Sequence, residues 1–168
     1  SNLDSKVSSL SFESLELANI SFSFDDIEVL KDFSLHVKKG DIIGICGPSG
    51  SGKSTILNLL LGLLKPGAGK LTLNGKPLQA HLHSWRDLIS FVPQEPILFD
   101  GTIRENICFG SNEFSDEDIW AVLKIVKLDT LIKTQRNGLD SMIGERGSNF
   151  SGGQKQRATL ARGLIRNA

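Results

Sequence analysis

The sequence predicts a mixed α/β fold in which a phosphate-binding loop joins a buried strand to a helix. Three observations predict it: a glycine-rich run in the first third of the chain, short apolar strand-like segments around it, and helical apolar spacing in the second half. Residues Gly47 to Ser54 read G-P-S-G-S-G-K-S. This run matches the pattern G-x-x-x-x-G-K-[ST], whose backbone N–H groups surround the phosphates of a nucleoside triphosphate.

The motif has the expected neighbours on both sides. Asp41 to Cys46 is a short apolar run typical of a buried strand, and the residues from Ser54 to Leu64 predict a mostly buried helix. Lys65-Pro66-Gly67 then ends that helix. A flexible Gly/Ser turn needs neither a strand before it nor a helix after it, so the context favours nucleotide binding.

Each residue type in the loop has a chemical reason. Glycine tolerates positive φ, so successive N–H groups can curl around an anion. The Lys53 ammonium would lie at the β- and γ-phosphates, and the Ser54 hydroxyl would bind Mg²⁺. The helix that starts here adds the positive end of its dipole to the same anion.

The regions flanking the loop predict strands. Segments at 15–20, 22–24 and 29–37 are joined by short turns, which favours antiparallel pairing. Residues 71–73 precede Asn74-Gly75, a strong hairpin signal. Residues 85–92 lead into a further strand that ends at Pro93.

The second half of the chain predicts helices. Ser115 resembles an N-cap followed by an acidic first turn. Behind it, one helical face carries the apolar residues Ile119, Val122, Leu123 and Val126. A last helix begins at Ser151.

Composition excludes several classes of protein. With 168 residues, 39% hydrophobic and 23% charged, the chain suits one globular domain, or one with a small insert. A net charge of zero gives no electrostatic case for nucleic acid. Cys46 and Cys108 fit no metal spacing, and the three histidines are scattered. No signal peptide or membrane-spanning run is evident, and residues 1–13 are predicted to be a linker or tag.

Phe150 to Gln154 read F-S-G-G-Q, which alone predicts an ordinary N-cap after a Gly-rich turn. Together with the phosphate loop and Gln94, the run resembles the nucleotide-binding domain of an ATP-binding-cassette (ABC) transporter, whose signature is L-S-G-G-Q. Gln94 matches the Q-loop of that family, and Phe24 lies where the family places an aromatic ring on adenine. The resemblance covers Leu15 to Ala168.

Two further segments resemble ABC exporters in particular. Pro96 to Ile107 is similar to the exporter segment that follows the Q-loop, and Ile143 to Gly147 is similar to the exporter X-loop. In that family the position of Glu145 meets the intracellular loops of the transmembrane domain. The resemblance implies a P-loop NTPase core sheet with an N-terminal antiparallel β subdomain and a helical subdomain at about 95–150, within a partial domain of residues 14–168.

The resemblance also implies a mechanism. Two nucleotide-binding domains meet head to tail, so that the phosphate loop of one faces the signature helix of the other across ATP and Mg²⁺. Lys53 and Gln94 would be catalytic, Ser54 and Gln94 would bind the metal, and a transmembrane domain would be the second partner at the cytoplasmic face of a membrane. The residues expected to contact the nucleotide are Phe24, Gly47, Pro48, Ser49, Gly50, Ser51, Gly52, Lys53, Ser54, Thr55, Gln94, Ser151, Gly152, Gly153 and Gln154.

One feature departs from the family pattern. The family continues into a strand ending in Asp-Glu, which supports Mg²⁺ and polarises water, whereas no acidic residue follows Glu145 here. The C-terminal part of the core is therefore expected to be missing, and this chain to bind ATP weakly or not at all and not to hydrolyse it. The lost strand would leave an apolar edge, which favours an oligomeric or swapped packing.

Two alternatives remain open. A soluble ABC-type ATPase of the clamp or DNA-repair kind shares both motifs, but would be favoured by heptads or a basic face, which are not seen. A degenerate half-site that senses nucleotide without hydrolysis is the second, against which Lys53, Ser54 and Gln94 argue.

Overall fold

A computed structural model of the chain describes residues 11–111 and 113–168. It divides into two compact units, with the boundary between Ile89 and Ser90. Most of the expected linker lies outside the described residues. Among the residues described, no helix combines the length and apolarity needed to cross a membrane.

The first unit is built on a four-stranded antiparallel sheet in the order β2-β1-β3-β4. The strands are β1 (Ser14–Phe24), β2 (Ile27–Lys38), β3 (Ala68–Leu73) and β4 (Lys76–Pro77). The predicted antiparallel pairing and the hairpin at Asn74-Gly75 are confirmed. Leu15 and Leu17 of β1 alternate into the core. The register of the strand shifts after Leu17, where Asn19 has φ 52°, and Ile20 is then fully buried.

Helices α1 (Lys53–Leu60) and α2 (Leu82–Leu88) pack on this sheet, with a 3₁₀ turn at Leu78–His81 between them. Helix α1 is shorter and less buried than the sequence predicts. Its buried side chains include Ile56 and Leu59, whereas Leu57 is 42% exposed. It ends early because Gly62 adopts φ 68°, a left-handed conformation that stops a helix before Pro66 is reached.

Two strand predictions are wrong. Asp41 to Cys46 pairs with no strand in the described part of the chain, and Ile42 is 99% exposed. Residues 85–92 form the end of α2 and then an unpaired segment in which Phe91 is 54% exposed. Apolar composition predicts a preference for burial, but a strand also needs a neighbouring backbone to pair with. The only sheet in the described residues is the antiparallel one, and with the helices it gives the mixed α/β fold that was predicted.

The second unit is helical, as predicted. It contains α3 (Ile103–Cys108), α4 (Asp116–Ile125), α5 (Asp129–Lys133) and α6 (Gly152–Ile165), with 3₁₀ turns at Gly138–Asp140 and Glu145–Gly147. Its own apolar core includes Ile107, Leu123 and Ile143. The predicted caps at Ser115 and Ser151 are present, and the predicted apolar face of α4 is buried.

Candidate nucleotide-binding site

The glycine-rich run forms a loop that passes directly into α1. Gly50 and Gly52 have φ values of 79° and 84°, in the left-handed region where a side chain is strained. The Ser51 N–H donates to the Pro48 carbonyl at 3.3 Å, and the Ile56 N–H donates to the Gly52 carbonyl at 2.9 Å. The loop is therefore a compact turn that ends in the first hydrogen bond of the helix.

Strand β2 packs against the loop at Gly52. A Cβ atom on Gly52 would lie 2.8 Å from Leu30 Cδ2 and 3.2 Å from the Val29 carbonyl oxygen. Glycine is thus required here twice, once for its backbone conformation and once for close packing. The antiparallel sheet fixes where α1 begins.

Lys53 folds its side chain back over the loop. Its Nζ donates to the carbonyl oxygens of Gly47 at 2.9 Å and Pro48 at 2.6 Å, and it lies 3.5 Å from Ser51 Oγ. These partners are neutral, so the positive charge is held at the loop without a carboxylate to neutralise it. An anion that entered the loop would meet this ammonium directly.

The start of α1 adds to this positive potential. Gly52 has no side chain with which to cap the helix, and the first turn carries no acidic residue. The leading N–H groups and the positive end of the helix dipole therefore point into the loop. Ser49, Ser51 and Ser54 are exposed around it and supply hydroxyl groups. The arrangement can bind a phosphate-bearing ligand.

Phe24 lies in the same unit at the end of β1. Its side chain is 51% exposed, and its ring meets Phe22 edge-on with centroids 4.9 Å apart. The edge contact leaves ring surface open to solvent, so stacking on adenine stays a prediction compatible with this geometry.

The signature run lies in the second unit, where it begins α6. Ser151 Oγ accepts from the Gln154 N–H at 3.3 Å, while the Ser151 N–H donates to Gln154 Oε1 at 2.8 Å. Added Cβ atoms at Gly152 and Gly153 would have nothing within 4 Å, so both lie in open space. Ser151 is therefore an N-cap, as the ordinary interpretation of this run predicts. The cap leaves the Ser151 hydroxyl proton free to donate outward.

Gln94 also belongs to the second unit. It is exposed on a bend of the segment that precedes Pro96. The structure thus joins residues 47–55 in one continuous loop and helix start, and places Gln94 and the signature run in the other unit. The assembly of all of them around one nucleotide stays a prediction.

Sequence reasoning missed two residues that organise the second unit. Asn106 is fully buried in α3, and its side chain exchanges hydrogen bonds with both the N–H and the carbonyl of Phe99. Arg162 of α6 donates to the Asn106 carbonyl at 2.7 Å and to the Ile97 carbonyl at 2.9 Å. The sequence does contain a signal for Asn106, because it lies between the apolar residues Ile103 and Ile107 of one helix. A buried amide needs hydrogen-bond partners, so an asparagine at such a position indicates a structural role.

Arg162 is also covered by two aromatic rings. Its guanidinium lies 5.4 Å from the centre of the Phe99 ring and 5.3 Å from that of Phe109. Burial lowers the pKa of the Arg162 guanidinium. The same rings line an open groove of about 380 Å³, together with Asp100, Glu105 and Gly110. The segment after Gln94 is thereby tied to the signature helix.

Comparison with known proteins agrees with this geometry. The family described as "ABC transporter" matches residues 30–168, a range that includes both the phosphate loop and the signature run. The chain belongs to the ABC transporter family. Family membership implies ATP as the nucleotide and accounts for the phosphate loop.

Individual relatives of this ABC family member are similar over nearly its whole length. A multidrug resistance ABC transporter ATP-binding and permease protein of Lactococcus lactis subsp. lactis is 39% identical over 158 residues, or 92% of this chain. The human mitochondrial potassium channel ATP-binding subunit is 40% identical over 91% of it. The chain spans only 27% and 22% of these two proteins.

A solved structure matches the fold as well. A bacterial Atm1-family ABC exporter with ATP bound superposes with a TM-score of 0.85 at 37% identity, covering 94% of this chain and 28% of the exporter chain. The resemblance to ABC exporters made from the sequence motifs is confirmed.

Proposed function

We propose that this chain is the ATP-binding part of an ABC exporter, which uses ATP binding and hydrolysis to move a substrate across a membrane. The observation that carries the proposal is the phosphate loop, with Gly50 and Gly52 in left-handed conformations and the Lys53 ammonium held over it. Support for export comes from relatives described as an ATP-binding and permease protein and as an ABC exporter.

In this proposal the loop binds the triphosphate. The Lys53 ammonium leaves the Gly47 and Pro48 carbonyls and turns to the β- and γ-phosphates, a stronger charge-assisted partner. The backbone N–H groups from Gly50 to Thr55 bind the remaining phosphate oxygens. Phe24 covers one face of the adenine ring.

Mg²⁺ fits the donors that the chain offers. The exposed Ser54 hydroxyl, one residue after Lys53, is a hard oxygen ligand of the kind Mg²⁺ prefers. Among the described residues, no cluster of three or more His, Cys, Asp or Glu could hold a metal by itself. The ion would therefore bind with the nucleotide, through Ser54, Gln94 and phosphate oxygens.

A second nucleotide-binding domain completes the site. The Ser151 hydroxyl and the N–H groups of Gly152 and Gly153 are exposed at the start of α6, where no acidic residue repels an anion. They would close on the γ-phosphate held by the partner domain. Gln94 would sense the γ-phosphate of the ATP held by its own phosphate loop. With Glu145 it would face a transmembrane partner, for which the groove at Phe99 and Phe109 offers apolar surface. The domain would then work at the cytoplasmic face of a membrane.

Turnover is a separate step. Phosphoryl transfer needs a group that orients the attacking water and compensates charge at the γ-phosphate. In this proposal Lys53 supplies the charge and Gln94 senses the γ-phosphate.

Photolabelling with an azido-ATP tests the proposal, because covalent capture reports weak complexes. We expect labelling of the chain that competes with unlabelled ATP and falls at least about ten-fold in Lys53→Ala, since the phosphates lose their cationic partner. Lys39→Ala, at an exposed lysine in the turn after β2, is the matched control and should label normally.

Equal labelling of the unmodified chain and Lys53→Ala would contradict the nucleotide site.

A further inference from the structure

The end of α1 that lies away from the phosphate loop is held by side chains from α2. Helix α1 has eight residues, so the held end is about 12 Å from Lys53. The last carbonyls of any helix have no partner within it. Here the carbonyls of Leu60 and Gly62 accept hydrogen bonds from side chains of α2, about 25 residues further along the chain.

Trp85 makes the stronger contact. Its indole N–H donates to the Leu60 carbonyl at 2.7 Å, and the side chain is 7% exposed. The ring packs in the same apolar cluster as Ile56 and Leu59 of α1, and it lies 5.9 Å from the Phe12 ring. Trp85 thus satisfies a carbonyl of α1 and fills the space beneath it.

Arg86 holds the next turn. Its guanidinium donates to the Gly62 carbonyl at 3.3 Å, while the residue as a whole is exposed. Gly62 has φ 68°, and a Cβ atom there would lie 2.5 Å from Leu82 Cδ2. The α1 terminus and the start of α2 are therefore packed without room for a methyl group.

We propose that Trp85 and Arg86 are positioning residues for the phosphate loop: by fixing the C-terminal end of α1, they fix the direction of its N-terminal end, where Lys53 and the leading N–H groups meet phosphate. The other end of α1 is fixed by the close contact of Gly52 with β2. The helix is short and half exposed, so its own hydrogen bonds and one-sided packing do not set its orientation. This inference rests on the proposed nucleotide site.

Amide hydrogen exchange measured by mass spectrometry tests the inference without nucleotide. In Trp85→Phe a smaller aromatic ring replaces the indole and the N–H is lost, so the Leu60 carbonyl loses its donor and some of the packing beside α1 is lost as well. We expect exchange in peptides covering 47–60 to accelerate about three- to ten-fold, the loss of one buried hydrogen bond, with β1 peptides unchanged. Arg86→Ala leaves the core intact and should give a smaller acceleration in the same peptides. Trp120→Phe, in the second unit, is the matched control.

The functional readout is binding of trinitrophenyl-ATP. We expect Trp85→Phe to weaken binding about three- to ten-fold, with Lys53→Ala as the reference for loss of the site. Unchanged exchange at 47–60 in both Trp85→Phe and Arg86→Ala overturns the inference, as does equal acceleration throughout the first unit, which indicates a merely structural role. If Lys53→Ala binds the probe like the unmodified chain, the nucleotide proposal fails, and the exchange data alone decide whether the helix is positioned.

Discussion

At the scale of single residues, the phosphate loop depends on the missing side chain of Gly52 and on the charged side chain of Lys53. Gly52 combines a left-handed φ of 84° with a close approach of Leu30 and Val29. Lys53, the next residue, carries the charge that the loop holds. Gly52 sets the geometry of the loop and Lys53 supplies its charge. Substitution of Gly52 should therefore lower stability, whereas substitution of Lys53 should weaken binding.

Gly52→Ala should destabilise the first unit by about 2 kcal/mol, because alanine is strained in the left-handed region and its methyl group overlaps Leu30. Lys53→Ala should leave stability nearly unchanged and affect binding only. Urea unfolding followed by circular dichroism measures the difference.

The control for this substitution is Gly44→Ala, where nothing lies within 4 Å of the added Cβ and φ is not left-handed. A Gly52→Ala protein as stable as the Gly44→Ala protein would show that β2 does not constrain the loop as inferred.

At the scale of secondary-structure elements, the second unit is held by paired caps and by one arginine. Helices α3, α4 and α6 each begin with a reciprocal capping box. Arg104 of α3 bonds both Asp116, the first residue of α4, and Asp140 in the 3₁₀ turn. Three elements therefore meet at a single guanidinium.

The carboxylates in these contacts make the second unit sensitive to acid. The hydrogen bond from Arg104 lowers the pKa of Asp116, and bonds to Thr102 and Ser115 lower the pKa values of Glu105 and Asp118. A carboxylate with a lowered folded-state pKa stabilises the fold above its unfolded pKa of about 4, and that stability is lost as pH falls through the folded pKa.

We therefore expect the melting temperature of the second unit to fall as pH is lowered from about 5 to about 2, with a shallower fall in Asp116→Asn. Glu117→Gln, in the same first turn of α4, is the control and should follow the unmodified profile. Calorimetry provides the measurement. If the melting profile of Asp116→Asn matched that of the unmodified chain, Asp116 would not contribute to the acid sensitivity.

At the scale of the whole molecule, the described residues contain two apolar cores and two segments that leave apolar side chains exposed, although Ile45 of the first segment packs against the first core. One core lies under the antiparallel sheet and the other among α3, α4 and α6. Asp41 to Cys46 and the residues around Phe91 carry exposed apolar side chains on backbone without a sheet partner. Such backbone is a template for pairing with another strand.

The sequence-based expectation of an oligomeric or swapped packing therefore stays a prediction, and Ile42 is the place to test it. Ile42→Lys places a charge on the segment, which should shift sedimentation toward the monomer. Ile125→Lys, at a residue 65% exposed on α4, changes the same residue type where the backbone is already bonded within a helix. Both variants and the unmodified chain sedimenting alike as monomers would count against self-association.

The local features of this protein can be predicted from its residues alone. The glycine-rich turn of the phosphate loop, the hairpin at Asn74-Gly75 and the caps at Ser115 and Ser151 are specified by local residue patterns, although the placing of the loop also needs β2. The combination of motifs also predicted the family to which the chain belongs.

Features that depend on residues far apart in the sequence were found only in the folded structure. Asp41 to Cys46 has the composition of a strand, but no strand of the described residues pairs with it. Trp85 lies in α2, and its indole N–H donates to the Leu60 carbonyl of α1. Arg162 and Asn106 lie 56 positions apart in the sequence, and the hydrogen bond between them exists only in the folded chain. Pairing, burial and long-range hydrogen bonds are properties of two segments at once, and no local pattern in either segment contains them.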